Sequence, residues 1–87
     1  MSGKYPKAVV ERLGIDPDYL PDVPWPTCSA KQTQEALGCG KFIYYRLIAD
    51  GSLRSEMIGG TRQDLTEDVL NIVAQRVQLL MGEGAQR

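Results

Sequence analysis

The 87-residue chain has no histidine and only two cysteines, Cys28 and Cys39. Without histidine, a zinc site would have to recruit carboxylates, which structural zinc rarely does. The cysteine spacing fits no redox motif, so both thiols are expected to pack as small apolar groups. No glycine-rich loop is placed to cradle phosphate, and no nucleophile sits beside a base. A non-enzyme without metal or cofactor is therefore expected. No apolar run approaches the roughly 20 residues that a membrane span needs. The opening "MSGKYPKAVVERLG" also lacks the apolar core of a secretory signal. A cytoplasmic protein with no membrane contact is the expectation.

Excess positive charge is missing too. The net charge is −1 and the sequence pI about 5.3, whereas a nucleic-acid binder usually carries a basic domain. The distribution is more informative than the sum. From Thr27 to Gln63, five cations (Lys31, Lys41, Arg46, Arg54 and Arg62) face three anions (Glu35, Asp50 and Glu56). The first 26 residues carry one more anion than cation, and the stretch from Asp64 onward two more. A mildly basic centre lies between acidic flanks, so any phosphate binding would be local and modest for one copy.

What is present reads as one small domain with a modest core. Residues 1–26 read as a weak helix, "PKAVVERLG", followed by an arm with four prolines between Pro17 and Pro26. Proline removes donors and pushes its predecessor towards extended backbone. Trp25 either anchors this arm to the core or contacts another protein. Residues 27–81 read as the folded domain and 82–87 as a tail. In "SAKQTQEALG", Ser29 and Gln32 form a capping box that starts a helix, and Gly38 ends it. A second helix is predicted from Lys41 to Ala49, with Gly40 before it and Gly51 as its stop. Only "GCG" separates the two, and so tight a turn imposes a steep crossing of helix-turn-helix type.

The second helix divides by face. Tyr44, Leu47 and Ile48 follow the i, i+3, i+4 rule and form the buried stripe. Lys41, Phe42, Tyr45 and Arg46 point elsewhere. Tyr45 and Arg46 could bond to phosphates or base edges. Two readings stand for this face: Phe42 and Tyr45 complete a core against another segment and Arg46 is a solvated charge, or together they bind DNA. Next, "SLRSEMIGGTRQDL" reads as a hairpin turning at Gly59–Gly60, with Leu53, Met57 and Ile58 as its apolar positions. Thr61 and Arg62 stand at its tip. Arg62 is either a groove-seeking cation or an ordinary solubilising charge. A last helix starts near Thr66 as cap and stops at Gly82. Its stripe of Val69, Val73, Val77 and Leu80 is broadened by Leu70, Ile72, Leu79 and Met81 beyond what a small domain needs. Either the N-terminal arm folds back over it, or its distal half meets another protein.

In order, "EALG", "YYRLIADGSL", "IGG" and "TEDVL" make the span from Cys28 to about Ala74 resemble the winged helix-turn-helix domain of phage excisionases and related MerR-like DNA binders. The resemblance implies a mostly α fold with a small β-hairpin wing. It implies that Lys41, Phe42, Tyr45 and Arg46 lie on the recognition helix and Thr61 and Arg62 on the wing. It further implies a recombination directionality factor: a non-enzymatic protein that binds adjacent sites on double-stranded DNA, touches neighbouring copies of itself, bends the DNA and directs a tyrosine integrase towards prophage excision. This chain departs from the pattern at Gly40, where the family commonly has serine, and at Thr61 and Gln63, where the wing is often basic. Fewer cations imply fewer phosphate contacts and weak binding by a lone copy. The alternatives are a small winged-helix transcriptional regulator and a protein-binding adaptor that never touches DNA.

Overall fold

The computed structural model describes residues 5–86, with side chains through Leu80. Residues 1–4, Arg87 and the Met81 side chain, which the sequence reading adds to the last stripe, lie outside the described residues. The fold is mostly helical with a three-stranded antiparallel sheet. Helix α1 (Lys7–Leu13) leads through a 3-10 turn (Pro17–Tyr19) to strand β1 (Thr27–Ser29). Helices α2 (Ala30–Leu37) and α3 (Lys41–Ala49) follow, then strands β2 (Ser55–Ile58) and β3 (Thr61–Leu65) and helix α4 (Thr66–Gln86).

Local chemistry sets most of these boundaries. Ser29 Oγ accepts from the Gln32 N–H at 3.2 Å, and Gln32 Oε1 accepts from the Ser29 N–H at 2.9 Å. This reciprocal pair satisfies two donors that the first turn of α2 would otherwise leave free. Gly38 ends α2 in the left-handed conformation, and Arg76 donates to the Leu37 carbonyl at 2.8 Å. Gly59 and Gly60 both have positive φ, 60° and 81°. That backbone makes a two-residue turn whose twist matches the strands, and it sets the register Ile58–Thr61, Met57–Arg62, Glu56–Gln63 and Ser55–Asp64.

Three expectations need correction. The sheet has a third strand: β1 pairs with β3, with Cys28 opposite Asp64, so the strand order is β1-β3-β2. Gly82 does not stop α4, which continues to Gln86; glycine disfavours a helix interior by about 1 kcal/mol without forbidding it. Thr66 is the first residue of α4 rather than a cap ahead of it. Its hydroxyl donates to the Pro24 carbonyl and its N–H to the Pro26 carbonyl, joining the arm to the helix start. Of the hairpin's apolar positions, Leu53 is buried in the core, while Met57 and Ile58 are 61% and 54% exposed.

One apolar cluster runs through the fold and includes the N-terminal segment. Tyr5, Val9, Leu13 and Val23 join Cys28, Leu37, Tyr44, Leu53, Val69, Leu70 and Ala74. The arm is held by the Tyr5 hydroxyl, which donates to the Pro21 carbonyl and accepts from the Val23 N–H at 3.0 Å. Trp25 is half-buried against this cluster, its ring edge-on to Tyr5. Helix α1 lies along α4, joined by the Arg12–Glu67 ion pair and by Gln78 donating to the Leu13 carbonyl at 2.8 Å. Beyond that contact Leu79 and Leu80 are 64% and 72% exposed. The N-terminal segment thus covers the proximal stripe, and the distal apolar residues project.

The loop between α3 and β2 is fastened to α4 by Arg54 and Asp68. The buried Asp68 carboxylate accepts from the Arg54 backbone N–H at 2.8 Å and from Nε and Nη2 at 2.9 Å each. Burial alone would raise the Asp68 carboxyl, but the Arg54 bonds and charge outweigh it and hold it below the ordinary range. Its folded value therefore lies below its unfolded value. The resulting stability is complete above the unfolded value, near pH 4, and disappears as pH falls through the folded value. Acid melts of the Asp68→Asn variant should be flatter below pH 4 than those of the wild type. Parallel acid limbs would show that this contact makes no pH-dependent contribution.

Candidate nucleic-acid interface

The exposed face of α3 is built by helical periodicity working against a buried stripe. Tyr44 is fully buried, and Leu47 and Ile48 are half-buried against the core. Around the helix from that stripe, Lys41, Phe42, Tyr45 and Arg46 are all exposed. Phe42 is 74% exposed and Tyr45 51%, so neither completes a core. The four side chains line a shallow cleft of about 470 Å³. A second cleft of about 560 Å³, between α2 and α3, shares Lys41 and Tyr45 and adds Lys31, Gln34 and Glu35.

The hairpin reaches this face through Arg62. Its guanidinium carbon lies 5.8 Å from the centre of the Tyr45 ring, within cation–π range. Arg62 Nη1 also donates to Ser55 Oγ at 3.1 Å. The Tyr45 ring packs edge-on against Tyr44, with centroids 5.0 Å apart. Tyr45 is thus the joint of the arrangement, with Arg62 over its ring and Lys41, Phe42 and Arg46 beside it.

Thr61 is the exception among the expected residues. Side chains alternate along a strand, so Thr61 falls on the sheet face opposite Arg62. That other face carries Thr27, Gln63, Leu65, Glu56 and Ile58 over a cleft of about 550 Å³ bordered by Ile48, Gly51 and Leu53. Conversely, Met57 pairs directly with Arg62 and shares its face. By sequence Met57 is only one of the hairpin's apolar positions. The two-residue turn and its register were the available signal that it stands beside Arg62.

A buried polar cluster supports the site from below. The Asp64 carboxylate, fully buried, accepts from Thr33 Oγ1 at 2.6 Å and from the Tyr44 hydroxyl at 2.9 Å to both oxygens. Cys28 Sγ lies 3.3 Å from Thr33 Oγ1. The Asp64 strand also carries Arg62, which the Ser55 hydroxyl holds from β2. β3, α2 and α3 are therefore joined through the Thr33 and Tyr44 hydroxyls on Asp64. Burial raises the Tyr44 hydroxyl well above its ordinary value, and the Asp64 hydrogen bond and charge push it further.

Charge on the exposed face is mainly positive, with local compensation. At the end of α3, hydrogen bonds from Ser52 hold the Asp50 carboxyl below its ordinary value, and the charge of Arg46 adds to this. Glu35 sits with Lys31 in the α2–α3 cleft. Among the described residues, no group of three or more histidine, cysteine, aspartate or glutamate side chains is placed to hold a metal ion. No helix among them is long and apolar enough to cross a membrane. The face offers cations and an exposed aromatic pair. No family model, curated protein or solved structure matches the chain.

Proposed function

We propose that this chain is a DNA-binding, DNA-bending excisionase: a winged helix-turn-helix protein that occupies adjacent sites and directs a tyrosine integrase towards prophage excision. The reading is carried by the contact of Arg62 with Tyr45. It makes the hairpin tip and the exposed face of α3 one continuous surface that a single duplex can meet. α3 would enter the major groove, which admits a helix. Arg62 would then follow the backbone into the neighbouring minor groove, where inserted arginines are favoured.

The same residues account for a weak monomer. Lys41 and Arg62, with Lys31 at the margin, allow about three phosphate contacts, hence a slope of log affinity against log salt of about −3. Copies that touch on adjacent sites gain effective concentration and share the several kcal/mol that bending costs. The exposed Leu79 and Leu80 at the distal end of α4 are the contact surface we assign to this assembly.

The test is a titration of labelled duplexes, enriched from a random pool by the full chain, across a salt series. A slope near −3, cooperative filling of repeated sites and a bend by energy transfer between the duplex ends are expected. Salt-dependent binding to single sites that leaves DNA straight would favour the transcriptional regulator instead. The acidic pI and the exposed Phe42 also suit a protein-binding adaptor, and absence of any salt-dependent binding would replace our reading by that one.

A further inference from the structure

We infer that Phe42 reads the 5-methyl group of thymine in the major groove, so that the sites this chain prefers carry a thymine under the first turn of α3. The inference rests on the DNA-binding reading above and adds the chemical feature recognised. Phe42 is 74% exposed, the highest value among the large hydrophobic side chains of the described residues. It stands in the first turn of α3, one residue after Lys41, and helices that read the major groove do so largely with their N-terminal residues.

A phenyl ring carries no donor or acceptor for the hydrogen-bond pattern of the base edges. Among the four bases, the major-groove edge offers one apolar feature, the thymine methyl. Phe42 and Tyr45, one turn apart, wall a shallow cleft whose remaining lining residues are Lys41 and Arg46. A methyl group fits between two ring edges, while Lys41 meets a phosphate and Arg46 a neighbouring base edge. That charge setting favours a duplex over an apolar protein surface, because a protein partner would have to take Lys41 and Arg46 out of water without neutralising them.

The experiment uses the full chain and a site enriched from random duplexes. Each thymine of the site is replaced in turn by uracil, which removes only the methyl. At one or two positions the wild type should bind about fourfold more weakly, the worth of one buried methyl group. Phe42→Ala should bind the thymine and uracil duplexes equally, and Phe42→Leu, which keeps an apolar contact, should retain most of the preference. Phe42 is exposed, so both variants should fold, and their melting curves check this. Equal affinity for thymine and uracil at every position overturns the inference while leaving DNA binding intact. A methyl preference that survives in Phe42→Ala assigns the contact to another residue and overturns it as well. Absence of salt-dependent binding to any duplex defeats the proposed function itself.

Discussion

Tyr44→Phe should lower the stability of this chain by about 2 kcal/mol, the penalty for leaving a buried polar partner short of a bond, and its Tm by roughly 8–16 °C. The substitution keeps the ring and removes one oxygen. That oxygen donates to both carboxylate oxygens of Asp64 at 2.9 Å. Asp64 has no exposed surface from which water could replace the bond, and the Thr33 hydroxyl would be left as its remaining side-chain donor among the described contacts. Tyr44→Ala should be worse, with about 3–5 kcal/mol lost to the cavity that an aromatic leaves. Pairing Tyr44→Phe with Asp64→Asn in a double-mutant cycle should recover part of the loss, since the two groups are in direct contact. The same bond sets an alkaline limit. The folded value of the Tyr44 hydroxyl lies above its unfolded value, so this contribution is complete below about pH 10 and is lost as pH rises towards the folded value. Urea melts from pH 7 to 11 should show that slope in the wild type and a shallower one in Tyr44→Phe. If the variant melted within about 0.5 kcal/mol of the wild type at pH 7, the range of ordinary surface changes, the buried cluster would not be what holds the hairpin to the helices.

This cluster also marks where the sequence stops being readable. The limits of α3 are legible because Gly40 and Gly51 punctuate a helical pattern, and α2 because Ser29 and Gln32 form a recognisable box. The hairpin is legible from Gly59–Gly60. All three signals are local. β1 is three residues long beside a run of prolines, too short to show alternation, and it exists through pairing with β3 more than thirty residues away. Asp64 reads as one more acidic residue because its burial depends on Thr33 and Tyr44 converging from two other elements. Tyr44 falls correctly on the buried stripe, but the stripe says nothing of its hydroxyl. For the site, periodicity separates Tyr45 and Arg46 from the core correctly, since it needs only the helical repeat. The approach of Arg62 to Tyr45 and the placing of Thr61 on the opposite sheet face follow from register and packing. Single-residue inspection of the tip cannot supply either.

Arg46 and Arg62 should fail in different ways when replaced by glutamine, and the difference tests their placement. Arg46 lies on the exposed face of α3 beside Phe42 and Tyr45, where a guanidinium can fork onto a base edge. Its loss should weaken binding to the enriched site by about 1–3 kcal/mol, roughly 5–150-fold, and relax discrimination at one position. Arg62 stands on the hairpin over the Tyr45 ring and is held there by Ser55. As a backbone and minor-groove contact, it should weaken all duplexes alike and reduce the salt slope by about 1. Ser55→Ala then serves as a control of positioning. It leaves every cation in place but frees Arg62 to leave the Tyr45 ring, so affinity should fall while the salt slope stays near that of the wild type. Neither arginine belongs to the apolar cluster, so the variants should melt close to the wild type, and a binding loss cannot be attributed to unfolding. If both arginine variants lost only non-specific affinity, with no change in sequence preference, α3 would be lying on the phosphates instead of in the groove. If Arg62→Gln bound as the wild type does, the hairpin would stand clear of the DNA, and the continuity between Tyr45 and Arg62 would serve the fold alone.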